Sequence, residues 1–250
     1  MDQRKGVPHH LLDILSVRED ASVAAYQKIA REKIDHIRGA GKSAIVVGGT
    51  GLYIKSIIDE MNFPDTDPAI RTRLEREAEE FGSAALFSKL QERDPEAASK
   101  IEPANTRRVI RALEVIEATG QPFSANLPSD TSVLYPDAFH FGLTLERELL
   151  APRIDARVHR MWEQGLTEEV ESLLDSGLRE GGTASRAIGY AQAMAYLDGA
   201  LGRDEAIEST ITATRQYVRR QETWFKRDQR IQWLGAEQSR LDAIVNKINS

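Results

Sequence analysis

Apolar positions along the chain follow two distinct patterns. Between Val23 and Arg38 they recur at helical spacing (Val23, Ala24, Ile29, Ile34, Ile37), behind Ser22 as a capping residue. The run from Ala44 to Val47 is continuous and mostly β-branched, the pattern of a buried parallel strand. Gly48, Gly49 and Gly51 then turn the chain, and a helix is expected from Leu52 to Asp59. Helix, strand, turn and helix in this order predict a layered α/β core.

After Met61 the pattern changes. "NFPDTDPAI" carries two prolines and reads as a linker. From Ala69 to about Gly120 the chain is charged and helical, with helix boundaries at Asp94-Pro95 and Glu102-Pro103. "GQPFSANLPSD" is a second loop-like stretch, and "AFHFGLTL", Ala138 to Leu145, returns to strand character. Beyond Arg147, helices are expected at 148–164, 167–176, 186–197, 204–227 and 236–249. The expected organisation is a discontinuous α/β core with C-terminal helices, 1–62 and 137–250, interrupted by a helical insertion at 63–136.

Composition narrows the class without deciding function. The 250 residues are 41% hydrophobic and 29% charged, ordinary values for a globular protein. No apolar run approaches the roughly 18 residues of a membrane span, and "MDQRKGVPHHLLDI" lacks the apolar stretch of a secretory signal. Cysteine is absent, which removes disulfides and thiolate chemistry. These features favour a cytoplasmic protein with no membrane partner. The net charge of −6 disfavours a polyanion partner, but it is unevenly spread. Arg107, Arg108 and Arg111 cluster, as do Arg153, Arg157 and Arg160, and again Arg215, Arg219, Arg220, Lys226, Arg227 and Arg230. A local basic face governs polyanion binding more than the sum does. The plainer alternative is a set of solvated helix faces with neighbouring acids.

"GAGKS", Gly39 to Ser43, imitates a phosphate-binding loop but fails its requirements. His36 stands where the first glycine belongs, and the segment follows a helix and precedes a strand, the reverse of the required order. "VVGGTGLY" stands in the right place but has no lysine; it offers close backbone approach and the Thr50 hydroxyl, or else is only a tight turn. His9, His10 and Asp13 invite a metal reading, yet adjacent histidines in an extended segment point to opposite faces. A structural or substrate-positioning role suits them better, and no residue is assigned to a metal.

Six stretches in order carry a resemblance. "GVPHHLLDI" (6–14), "IVVGGTGLY" (45–53), "NTRRVIRALEVIEATGQPFS" (105–124), "RIDARVHRMWEQGLTEEV" (153–170), "SRAIGYAQAMAYLDG" (185–199) and "TRQYVRRQETWF" (214–225) resemble the bacterial tRNA dimethylallyltransferase family across essentially the whole chain. The resemblance implies a core like that of P-loop nucleotide kinases, with a parallel sheet and a helical insertion domain that contacts tRNA. It implies transfer of a dimethylallyl group from dimethylallyl diphosphate to the exocyclic N6 amine of the adenosine 3′ to the tRNA anticodon, with Mg2+. The partners implied are a tRNA anticodon stem-loop and dimethylallyl diphosphate, acted on by a monomer.

Residue by residue, the resemblance assigns Arg157 to the departing diphosphate. It assigns tRNA contact to Thr50 and Arg71, to Arg107, Arg108, Val109, Ile110 and Arg111, and to Arg186, Ala187, Ile188, Gly189, Tyr190 and Ala191. Gly189 would let backbone approach the RNA, or simply start a helix. Arg220 and Trp224, four apart, permit cation–π stacking; alternatively Trp224 and Phe225 belong to the core. The family's G-x-T-x-x-G-K-[ST] loop and D-S-x-Q segment have no counterpart in this sequence. The expectation is therefore an N-terminally truncated core, with no nucleotide-cradling residue to assign and no prenylation by this chain. The alternative is a noncatalytic RNA-binding remnant. An ATP-binding kinase relative is a third reading, disfavoured because no Gly-Lys-Ser/Thr turn stands after a strand.

Overall fold

The structure is a computed structural model that describes residues 4–65, 67–126, 133–236 and 239–249. The chain divides into two compact units, Met1–Ile57 with Asp137–Ser250, and Ile58–Pro136. The last four residues of the loop-like stretch 120–130 lie outside the described residues.

In the first unit, α1 (Val23–Gly39) starts where expected: the Ser22 side chain accepts from the Ala25 amide at 3.4 Å. "GAGKS" closes this helix, with the Gly41 amide donating to Arg38 O at 2.9 Å and the Lys42 amide to Ile37 O at 3.2 Å. α2 (Gly51–Ile58) has its final carbonyls held from α1. Gln27 Nε2 and Arg31 Nη2 donate to Ser56 O at 2.9 and 2.8 Å, and Arg31 Nε to Ile57 O at 3.2 Å.

The run Ala44–Val47 departs from its expected form. It joins no ladder among the described residues, and Ile45 and Val47 are 85% and 90% exposed. Strand propensity is a preference for a pleated, packed surface, and without a neighbouring strand it produces only an extended segment. The sheet that does form joins β1 (His140–Leu143) to β2 (Ile231–Leu234) in parallel, with His140 opposite Ile231 and Leu143 opposite Leu234. The sequence pattern anticipated the first strand and not the second.

Between these strands run α7 (Arg147–Glu163), α8 (Leu166–Leu174), α9 (Tyr190–Leu197) and α10 (Arg203–Phe225). Ile154, Val158 and Trp162 of α7, Val170 of α8, Ala193 of α9 and Ile207 and Ile211 of α10 make one core. The spacing of four on α7 is the apolar stripe of a packed helix. The helix expected at 186–197 begins only at Tyr190, because Gly189 turns through a φ of +97° and Ala184–Arg186 forms a 3-10 turn. α11 (Arg240–Ile248) starts four residues after the position expected for it.

The second unit contains α3 (Pro68–Phe81), α4 (Ser83–Arg93), α5 (Pro95–Lys100) and α6 (Thr106–Thr119). Asp67 caps α3 and Asp94 caps α5, each followed by proline at the first helical position. Leu74, Leu86, Leu90, Val109, Ala112 and Leu113 fill its core. Each such buried aliphatic side chain larger than alanine contributes about 1.5–3 kcal/mol.

Candidate nucleic-acid interface

The Gly48–Gly51 turn lies against one face of α10, formed by Tyr217, Gln221 and Trp224 at positions i, i+4 and i+7. Tyr217 Oη donates to Gly49 O at 3.1 Å, and Gln221 Nε2 donates to the same carbonyl at 2.9 Å. Thr50 Oγ1 lies 3.1 Å from Tyr217 Oη. A Cβ on Gly49 would stand 2.1 Å from Gln221 Nε2, and one on Gly51 would stand 2.0 Å from Trp224 Cδ1. These glycines let a helix approach the turn closely, and Thr50 remains exposed at its mouth.

Trp224 is 43% exposed and does not belong to the core. It lines a groove of about 340 Å³ with Arg219, Arg220, Thr223 and Arg227. The Arg220 guanidinium lies over the Tyr217 ring, 5.8 Å from its centroid, three residues back along the helix. Stacking on Trp224 was the pairing the sequence suggested.

The structure sorts the arginines by partner. Arg215 holds both oxygens of Asp155 at 2.7 and 2.6 Å, tying α10 to α7. Arg147 reaches Glu222 at 3.2 Å and Arg179 reaches Asp198 at 2.6 Å. Hydrogen bonds from Lys226 and Arg147 hold the Glu222 carboxyl below its usual range. By contrast Arg153, Arg157 and Arg160 are exposed on α7 with no carboxylate partner among the described residues. Arg186 is likewise exposed and unpaired among them, at the end of its 3-10 turn.

Its neighbours in "RAIGYA" have mixed surroundings. Ala187 is exposed, Ile188 and Ala191 are half-buried, and Gly189 is buried. The Gly189 amide donates to Gln192 Oε1 at 2.8 Å, so this glycine serves as the start of α9. Tyr190 Oη donates to Glu169 Oε1; burial, then that bond and its charge, push the phenol up to about 12.

In the second unit, "RRVIR" splits in the same way. Arg107 and Arg108 are exposed in the first turn of α6 and unpaired among the described residues. No acidic residue stands in that turn, so two cations add to the positive end of the helix dipole. Val109 and Ile110 are 0% and 5% exposed and lie within α6, with the Val109 amide donating to Asn105 O at 3.0 Å, so both residues belong to the core and neither presents a group to a ligand. Arg111 donates to Glu114 Oε2 at 2.9 Å and to Pro64 O at 2.7 Å. Arg71 reaches the same Glu114 oxygen at 2.7 Å. Glu114 is fully buried: burial pushes its carboxyl up, but hydrogen bonds from Arg71 and Arg111 outweigh this and hold it below the ordinary value. Sequence reasoning missed this clamp, although Arg111 and Glu114 are only three residues apart.

His9 Nδ1 lies 2.9 Å from Val7 O, within its own segment. Among the described residues no group of three His, Asp or Glu side chains gathers to hold a cation such as Mg2+. No helix is long and apolar enough to cross a membrane among these residues.

The family model described as IPP transferase matches residues 1–228. The chain belongs to the IPP transferase family. Relatives named tRNA dimethylallyltransferase support the assignment. One from Thermobifida fusca is 52% identical over 233 residues, 93% of this chain and 72% of that protein. One from Streptomyces coelicolor is 53% identical over 233 residues, 93% and 74%. The solved structure of full-length tRNA isopentenylpyrophosphate transferase from Bacillus halodurans is 38% identical, with a TM-score of 0.67, over 99% of this chain and 78% of that one. A eukaryotic dimethylallyltransferase acting on tRNA is 25% identical with a TM-score of 0.80, over 99% and 65%. The mixed α/β architecture is thus that of IPP transferase family structures.

Proposed function

We propose that this chain grips a tRNA anticodon stem-loop and carries part of the machinery for transfer of a dimethylallyl group from dimethylallyl diphosphate to the N6 amine of the adenosine 3′ to the anticodon, without completing that transfer as the 250-residue chain alone. The observation that carries this reading is the sorting of the arginines. Arg107, Arg108, Arg157 and Arg186, at positions matching the family's contacts, are exposed with no carboxylate partner among the described residues, while Arg147, Arg179 and Arg215 are held by one. An unpaired guanidinium is available to a phosphate at little desolvation cost.

The reaction breaks the allylic C–O bond, forms an N6–C bond and releases diphosphate and one proton. Arg157 stabilises the negative charge that grows on the departing diphosphate. Arg107, Arg108 and Arg186 hold the RNA backbone while the target purine leaves its stack. The Arg219, Arg220, Trp224 and Arg227 groove offers cations beside an aromatic face, a combination that suits single-stranded RNA. Arg71 and Arg111 serve the RNA-facing surface through their hold on Glu114, and Val109 and Ile110 only by packing the core beneath α6. The 250-residue chain by itself binds RNA without turnover. Neither the G-x-T-x-x-G-K-[ST] loop nor the D-S-x-Q segment occurs in it, and no residue here is assigned to diphosphate cradling or to taking the N6 proton.

The test combines fluorescence anisotropy of a labelled anticodon stem-loop with mass spectrometry of the digested RNA after incubation with dimethylallyl diphosphate and Mg2+. If four arginines each neutralise one phosphate, affinity falls with salt at a log–log slope of about −3. No mass gain is expected. A hairpin that fails to bind at low salt overturns the RNA reading, and a dimethylallyl adduct overturns the claim of no turnover.

A further inference from the structure

Residues 16–21 cross the loop that leads into the Arg186 turn, and both segments belong to the first compact unit. Glycines make the crossing close. A Cβ on Gly181 would stand 1.9 Å from the Val17 carbonyl oxygen, so backbone lies directly on backbone there. A Cβ on Gly177 would stand 2.1 Å from Arg18 Nε, which donates to Ser176 O at 2.9 Å just past the end of α8. Thr183 fastens the other end of the crossing. The Ala21 amide donates to Thr183 Oγ1 at 3.0 Å, and that hydroxyl donates to Asp20 Oδ1 at 3.3 Å. An amide only donates and a carboxylate only accepts, so both bond directions are fixed by the partners.

The same two loop residues carry the Arg186 turn. The Arg186 amide donates to Thr183 O at 3.3 Å, and Ser185 Oγ donates to Gly181 O at 2.6 Å. A three-residue 3-10 turn has weak internal bonds, so its direction comes from what it is tied to. The Arg186 side chain is exposed and rotatable, so its reach is set by the backbone that carries it. We propose that Thr183 is a positioning residue, which by docking on Asp20 and Ala21 holds the turn that aims Arg186 at an RNA phosphate. The inference rests on the RNA reading above and adds to it what supports one of its four arginines. Valine at this position keeps the branched shape and removes both bonds of the hydroxyl, whereas serine keeps both.

The experiment measures anisotropy of the labelled anticodon stem-loop across a salt series. The purified 250-residue chain is compared with Arg186→Ala, Thr183→Val, Thr183→Ser and the double variant Thr183→Val, Arg186→Ala. Arg186→Ala is expected to weaken binding about fivefold and to make the log–log salt slope shallower by about 0.7, the share of one phosphate. Thr183→Val is expected to weaken binding about threefold and to shift the slope in the same direction, while Thr183→Ser keeps the wild-type affinity and slope. In the Arg186→Ala background Thr183→Val is expected to cost nothing further, because its effect runs through that arginine. Thr183→Val binding like the wild type overturns the inference, and so does an equal loss with and without Arg186, the mark of a merely loosened fold. Unchanged affinity in Arg186→Ala also overturns it; all three results leave RNA binding by the other arginines standing. Failure of the wild type to bind at low salt overturns the RNA reading and this inference with it.

Discussion

Replacing Gly51 by alanine sets two physical effects against each other, with opposite signs. Gly51 is the first residue of α2, where alanine's helix preference would stabilise the protein by up to about 1 kcal/mol. The added Cβ, however, would stand 2.0 Å from Trp224 Cδ1, 2.1 Å from Nε1 and 2.5 Å from Cγ. Ordinary carbon contact needs about 3.5 Å, so the indole has to retreat by roughly 1.5 Å. Because Cγ itself is too close, rotating the ring about its own axis does not relieve the clash; the whole side chain must change its position. Overpacking of this kind costs about 1–3 kcal/mol, which outweighs the helix gain. Gly51→Ala is therefore expected to lower stability by about 1–2 kcal/mol in urea unfolding followed by far-ultraviolet circular dichroism. In a Trp224→Ala background the clash is gone, and the same substitution is expected to be neutral or stabilising. The coupling between the two sites is then about 2 kcal/mol. Gly51→Ala proving stabilising with Trp224 present, or equally destabilising without it, would refute the account of these glycines as room for α10.

Two further outcomes concern groups away from this turn. Glu114→Ala strips a fully buried carboxylate from Arg71 and Arg111, which are 32% and 25% exposed by side chain, and is expected to lower unfolding free energy by about 3 kcal/mol, the low end for a buried pair because the arginines can turn toward water. Its folded-state pKa lies below the unfolded value, so this contribution is complete above about pH 4.3 and is lost as pH falls through the depressed value; Glu114→Gln is expected to flatten the acid limb of a stability–pH curve. Separately, Ile45 and Val47 present β-branched surface with no ladder among the described residues, a template for pairing between copies. Sedimentation velocity is expected to show self-association that rises with concentration and falls in the Ile45→Lys, Val47→Lys double variant; a strictly monomeric wild type at high concentration would count against it.

What the sequence discloses depends on how far apart the interacting residues lie along the chain. α1 and the helical character of 69–120 are legible because the periodicity, the cap at Ser22 and the Asp94-Pro95 boundary lie within a few residues of one another; the break at Gly82 between α3 and α4 was not read. β2 was missed because Ile231–Leu234 is too short to show alternation, and its partner His140–Leu143 stands across four helices. The run Ala44–Val47 was over-read for the complementary reason: its composition states what it would do beside a strand, not whether one is there.

The interface divides along the same line. Residue type marks every arginine of "RRVIR" as a candidate, and family resemblance marks them together, yet the fold gives Arg107 and Arg108 to solvent and Arg111 to Glu114. Arg71, the other half of that clamp, is 43 positions from Glu114. Tyr217, Gln221 and Trp224 form a readable stripe at i, i+4 and i+7, but the surface that it fits is a glycine turn some 170 positions earlier. A helical stripe identifies a face; only the tertiary fold identifies its complement. Here the complement brings the Thr50 hydroxyl within 3.1 Å of Tyr217 Oη, a contact that no local sequence pattern announces.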